Sequence, residues 1–110
     1  MPKQSDGLDQ VFQALADPTR RKVIERLVSG SASTSELAAP FEMALPSFTQ
    51  HLAVLERAGL VTSTKTGRVR TYHLAPAALE HADGWLADQR RLWDRRLDQL
   101  DTFLLTLKEQ

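Results

Sequence analysis

Leu45-Pro-Ser-Phe-Thr-Gln-His-Leu-Ala-Val-Leu-Glu-Arg-Ala-Gly-Leu60 is the stretch that decides the fold. Phe48, Leu52 and Leu55 recur at spacings of four and three, which predicts a helix with one buried stripe. Ser47, Thr49, Gln50, His51 and Arg57 fall on its other faces. The first four carry short or planar hydrogen-bonding groups, the kind that bond base edges and phosphate oxygens. Gly59 suits a left-handed residue just past the helix end, and a strand-like segment follows at once. A polar-faced helix running straight into a basic hairpin points to a surface that reads duplex DNA.

Downstream, Val61 to Lys65 and Val69 to Leu74 are rich in Val, Thr and Tyr, with Thr66-Gly67 between them. This predicts a β-hairpin, and Lys65, Arg68 and Arg70 cluster at its tip and near side. Upstream, Leu8, Val11, Phe12 and Leu15 mark an amphipathic first helix that Asp17-Pro18 interrupts. Pro18 fits the first turn of a second helix burying Val23, Ile24, Leu27 and Val28, which Ser29-Gly30 ends. A short third helix carries Leu37, Ala38 and Phe41. Its N-cap is Thr34 or Ser33, the latter with the serine-to-glutamate spacing of a capping box. Two helices joined by the turn around Glu42 to Ala44 form a helix-turn-helix, and the hairpin is its wing.

Pro76 opens the longest helix, about Ala77 to Leu107. Leu86, Trp93, Leu97, Leu100, Leu104 and Leu107 follow alternating spacings of three and four, and Arg90 is the one position that breaks the series. Trp85, Leu92 and Phe103 widen the stripe. A winged core is compact, so such a helix overhangs it, and the overhanging stripe is expected to meet a second copy of the chain. The expected fold is mainly α with a β-hairpin wing. It divides into a flexible terminus over 1–7, a DNA-binding core over 8–75 and a dimerisation helix over 76–110.

With 110 residues and 42% hydrophobic content, the chain is one domain burying about 60–65% of its unfolded surface, so a partner would add stability. It has no cysteine, which excludes disulfides, thiolate metal sites and thiol redox sensing. No signal-peptide core and no membrane-spanning run occurs, which predicts a soluble cytoplasmic protein with no membrane partner. The zero net charge conceals segregation. Residues 41–75 carry Arg57, Lys65, Arg68 and Arg70 against Glu42 and Glu56, with His51 and His73 in addition, while residues 76–110 carry a small acidic excess. Local sign governs contact with phosphate more than the total does.

Three motifs carry a family resemblance. Ala14-Leu-Ala-Asp-Pro-Thr-Arg-Arg-Lys-Val-Ile-Glu-Arg-Leu27 resembles the signature opening of the ArsR/SmtB family of bacterial winged-helix repressors. Thr49 to Val61 resembles its recognition helix, and Gly67-Arg-Val-Arg-Thr-Tyr-His-Leu74 its wing. Trp85 to Leu97 resembles a branch of the family without obvious metal ligands. The resemblance implies a homodimeric repressor with an interface made by the first and last helices, here Leu8, Val11, Phe12, Trp93, Leu97, Leu100 and Leu104. Ser47, Thr49, Gln50 and His51 would then contact operator DNA, supported by Lys65, Arg68 and Arg70. Gln50 suits bidentate bonding to adenine, while His51 either touches phosphate or packs beneath the helix. Arg20 and Arg21 either clamp the DNA backbone or pair with Asp17 and Glu25. Two positions depart from the family. Ala44 stands where a serine is frequent, leaving the recognition helix without a polar cap, and Leu45 replaces a commonly polar residue. Leu45 either contacts a thymine methyl or anchors the helix start.

One metal site known in the family uses Cys-x-Cys at the third helix, where this chain has Ser33 and Ser35; neutral hydroxyls are poor ligands for soft divalent metals. The other uses acid and histidine pairs on the last helix. That helix offers only His81, with Glu80, Asp83 and Asp88, short of what zinc generally needs. No metal and no cofactor is therefore expected. An apolar ligand lined by Trp85, Trp93 and Phe103 remains an alternative, as does a winged-helix module that binds protein. No phosphate-binding loop, nucleophile elbow or paired-histidine helix is present, so an enzyme is not expected.

Overall fold

The computed structural model of the chain describes residues 3–109. Helices α1 (Lys3–Leu15), α2 (Pro18–Val28) and α3 (Thr34–Ala38) precede helix α4 (Leu45–Arg57). Strands β2 (Val61–Thr66) and β3 (Val69–Leu74) form the hairpin, and α5 (Pro76–Lys108) closes the chain. A strand that the sequence did not announce, β1 (Ala32–Ser33), pairs antiparallel with β3, giving the sheet order β1-β3-β2. The first two residues of the expected flexible terminus lie outside the described residues, and from Lys3 onward the backbone is already helical.

Local chemistry sets each boundary. Asp17 caps α2 by accepting from the backbone N–H groups of Thr19 (2.8 Å) and Arg20 (3.3 Å), with Pro18 in the first turn. Desolvation pushes the Asp17 carboxyl up. The two N–H bonds and the Arg20 charge outweigh it and hold the group below its usual value. Ser33, not Thr34, caps α3. Its hydroxyl accepts from the Glu36 N–H (3.2 Å) and the Glu36 carboxylate accepts from the Ser33 N–H (2.9 Å), which completes a capping box. Helix α3 ends at Ala38, so Phe41 sits beyond it, yet its ring packs on Phe48 at 5.3 Å between centroids. Gly59 ends α4 with φ +79°, and its N–H bonds the Glu56 carbonyl.

Thr66 pairs with Val69, so the hairpin turns at Gly67-Arg68, one residue later than Thr66-Gly67. A positive φ of 63° at Gly67 and none at Arg68 is the pattern of a type II′ turn, whose twist suits a hairpin.

The core gathers one stripe from each element: Val11 and Ala14 from α1, Val23 and Leu27 from α2, Leu37 from α3, and Phe48, Leu52 and Leu55 from α4. Val28, expected inside, is exposed near the end of α2. Val11, expected at a dimer surface, is buried in the chain's own core and has almost no surface left to offer a partner. From α5 only Ala82 is buried. That 33-residue helix spans about 50 Å at the usual helical rise, which accounts for a molecule 75 Å long and only 33 Å by 22 Å across.

Candidate nucleic-acid interface

Burial of Phe48, Leu52 and Leu55 at 0% exposure fixes the rotation of α4 about its axis. The side chains on the far side are thereby held outward. Gln50, Ala53 and Arg57, spaced three and four apart, form an exposed row, flanked by Ser47, Thr49 and Glu56. A shallow groove runs along Thr49, Gln50, Ala53, Glu56 and Arg57. Ala53 and Arg57 were missing from the sequence-based site. The signal was available, because they continue the Gln50 row by helical spacing. Their small size in one case and distance from the helix start in the other hid it.

Thr49 donates its hydroxyl proton to the Pro46 carbonyl (3.0 Å), so it presents mainly acceptor lone pairs to a ligand. Gln50 keeps both its donor and its acceptor, with no partner among the described residues. Ala44 is the N-cap of α4 and makes no side-chain cap bond. Leu45 is 55% exposed, so it does not anchor the helix start by burial.

His51 takes a different position. It is half-buried, and its Nδ1 lies 3.0 Å from Nη1 of Arg20. The same guanidinium donates from Nε to the Ala14 carbonyl (2.7 Å) and from Nη2 to the Gln13 carbonyl (3.0 Å). Arg21 donates to the Leu15 carbonyl (2.7 Å). These arginines therefore satisfy the orphan carbonyls at the end of α1, a favourable place for cations. Neither makes the expected ion pair with Asp17 or Glu25; among the described residues the one salt bridge is Arg91–Asp88.

The wing brings Lys65 and Arg70 directly opposite each other across β2 and β3. They are not equivalent. Arg70 donates to the Ser63 hydroxyl (2.9 Å), which in turn donates to the Glu56 carboxylate of α4 (2.9 Å). That relay turns Arg70 back toward the reading helix, while Lys65 and Arg68 are exposed without a partner among the described residues. Beneath the relay Tyr72 is buried, and desolvation, with the Glu56 charge, pushes its phenol up. His73 lies on the opposite face of the sheet, its Nδ1 2.7 Å from the Ser31 hydroxyl, and takes no part in the basic cluster.

Along α5 the apolar stripe stays uncovered: Trp93 is 67% exposed and Leu97 58%, with Leu100 and Leu104 about half exposed. Phe12 of α1 meets Trp85 edge-on at 5.8 Å, so the two helices present one continuous apolar strip. Among the described residues no three His, Cys, Asp or Glu side chains converge as a metal site would require, and no helix is long and apolar enough to cross a membrane.

A helix held by its apolar stripe with a polar row outward, followed by a basic two-stranded wing, defines a winged helix-turn-helix DNA-binding protein. A helix-turn-helix domain family matches residues 15–64. The chain is 40% identical over 89 residues to an HTH-type transcriptional regulator of Mycobacterium tuberculosis, covering 81% of this chain and 80% of that protein. A crystal structure of an ArsR family transcriptional regulator superposes with a TM-score of 0.77 at 49% identity, covering 86% of this chain and 94% of that one. The homodimeric winged helix-turn-helix DNA-binding domain of a possible ArsR-family regulator from Mycobacterium bovis matches with a TM-score of 0.62 at 25% identity, over 79% of this chain and 82% of that one. Several relatives carry the word repressor in their names. The chain belongs to the ArsR/SmtB family of transcriptional regulators and is a DNA-binding regulator of transcription.

Proposed function

We propose that the chain works as a cytoplasmic homodimeric repressor that occupies an imperfect palindromic operator. The observation that carries this reading is the uncovered stripe of α5. Trp93, Leu97, Leu100 and Leu104 lie exposed on a helix that buries one residue in its own core, and a second copy supplies the matching surface. Phe12 and the half-buried Leu8 extend that surface onto α1. Two-fold pairing sets two α4 helices for successive major grooves, with half-site centres about 34 Å apart. Gln50 reads base edges from the centre of its row, Ser47 and Thr49 add hydrogen bonds, and Arg57, Lys65 and Arg68 meet phosphate. A dimer seated across a promoter in this way blocks access to it.

Footprinting on the DNA around the chain's own gene, in rising salt and with and without divalent metals, tests the reading. The expected result is a two-fold footprint whose affinity falls steeply with salt and does not depend on metal. A folded dimer that leaves no footprint, or binds independently of salt, overturns it.

A further inference from the structure

Among the described residues, the Arg20–His51 contact is the one place where a side chain of the reading helix is gripped from another helix by a charged group. Arginine carries five N–H donors and no acceptor. At 3.0 Å from Nη1, Nδ1 of His51 must therefore be the acceptor, and an accepting nitrogen carries no proton. The ring is then neutral, with its proton on Nε2. The guanidinium cannot drift from this position, because its Nε and Nη2 are tied to the Ala14 and Gln13 carbonyls at the end of α1. Asp17, whose charge is felt by the same group of side chains, is itself committed to the backbone N–H groups of Thr19 and Arg20.

We propose that Arg20 is a positioning residue for DNA reading: anchored on the end of α1, it locks His51 as the Nε2–H tautomer and so fixes the donor that the reading helix presents. This rests on α4 being the DNA-reading element. The link has a second consequence. Helix α1 carries Phe12, which packs on Trp85 of α5, so Arg20 joins the apolar strip to the reading helix through a chain of direct contacts.

Two measurements on the full-length protein test this. The first is the imidazole 15N–1H correlation spectrum of the DNA-free protein, which has three histidines, with the His51 signals assigned by their loss in His51→Gln. The expected pattern is an Nε2–H ring in the wild type and a mixture of tautomers in Arg20→Gln. A wild-type His51 protonated on Nδ1, or no change in Arg20→Gln, overturns the proposal. The second is operator affinity. An asparagine amide oxygen reaches the position of Nδ1, whereas a glutamine amide reaches that of Nε2. His51→Asn keeps the Arg20 bond but lacks the Nε2–H donor, and His51→Gln offers a group at the Nε2 position without the Arg20 bond, so both, like Arg20→Gln, should weaken binding about tenfold, the scale of one charge-assisted hydrogen bond. The double variant Arg20→Gln/His51→Gln should be no weaker than either single.

Multiplying losses, or either His51 variant binding as the wild type does, overturns the link. If Arg20→Gln fails to fold, the His51 pair decides alone. A locked ring in a wild type that binds no operator overturns the DNA-reading role of α4 and leaves the ring geometry standing.

Discussion

Helices α4 and α5 are written in the same pattern and meet opposite fates. Each carries large apolar residues at alternating spacings of three and four. In α4 that stripe is wholly buried, whereas in α5 every large member beyond Ala82 is substantially exposed. The difference lies in what surrounds them. Helix α4 is packed by α1, α2, α3 and β2, while α5 has one packing partner of consequence, α1. An apolar stripe with a core to enter fixes rotation and frees the opposite face to read. One with no core to enter leaves an apolar surface for a partner to cover.

The sharpest way to break that contrast is to change the most informative residue of each stripe. Leu100→Asp leaves the monomer core untouched, because Leu100 is already about half exposed. In a dimer it removes two leucines from burial, about 1.5–3 kcal/mol each, and adds two carboxylates to desolvate. Sedimentation should show a folded monomer at concentrations where the wild type is a dimer. A dimer that persists would mean that α5 is not the paired surface.

In α4 the same logic moves stability instead of assembly. Phe48→Ala empties a site at 0% exposure that also carries the Phe41 ring contact, at a cost of about 3–5 kcal/mol. Denaturant unfolding should register it; a loss below about 1 kcal/mol, typical of a surface change, would contradict the core assignment.

Changes on the outward row should leave both stability and assembly alone. Gln50→Ala is expected to relax base preference at one position by about 1–3 kcal/mol. Arg68→Ala should weaken binding on all sequences alike and reduce the salt slope by about one. Competition binding against operator variants in two salt concentrations separates them. If both substitutions act alike, base reading and backbone contact are not divided between helix and wing.

Much of this contrast was legible in the sequence. Periodicity located α4 and α5, which repeat their apolar spacing over many residues, and the Val-, Thr- and Tyr-rich runs on either side of Thr66-Gly67 located the hairpin. What it missed has no period. Strand β1 is two residues long and exists only because Ala32 and Ser33 pair with Tyr72 and Thr71, some forty residues away. The sequence left Arg20 between a clamp on the DNA backbone and a partner for carboxylates, yet it bonds main-chain carbonyls, which every residue carries and no motif marks. Val11 shares a helical pattern with Leu8 and Phe12, and only three-dimensional packing tells which of the three faces the core. The outward exposure of Gln50 and Thr49 was legible, the placement of Arg70 less so, because its relay to Glu56 depends on the register of the hairpin.

A smaller effect concerns the caps. Asp17→Ala removes the acceptor for two N–H groups at the start of α2 and should cost about 1 kcal/mol. Because the folded state holds the Asp17 carboxyl below its usual value, its contribution is present above the unfolded carboxylate range and is lost as pH falls through the lower folded value. Asp17→Asn keeps an acceptor that does not titrate in this range. The stability gap between wild type and Asp17→Asn should therefore shift toward the variant in acid; a gap independent of pH would remove the linkage.

The smallest expected effect is a gain. Helix α4 starts from Ala44 with no side-chain cap, where a serine would ordinarily be worth about 1 kcal/mol. The N2 residue is Pro46, which has no N–H, so one of the two donors that a cap serves does not exist. Only the N–H of Ser47 remains for a serine hydroxyl to reach. Ala44→Ser should thus stabilise the protein by about 0.5–1 kcal/mol, toward the low end for such caps, with dimerisation unchanged because residue 44 is far along the chain from either apolar strip. Thermal unfolding at fixed protein concentration reads the gain directly. Destabilisation instead would mean that the start of the reading helix is held by something the Ala44 backbone provides and a hydroxyl disturbs.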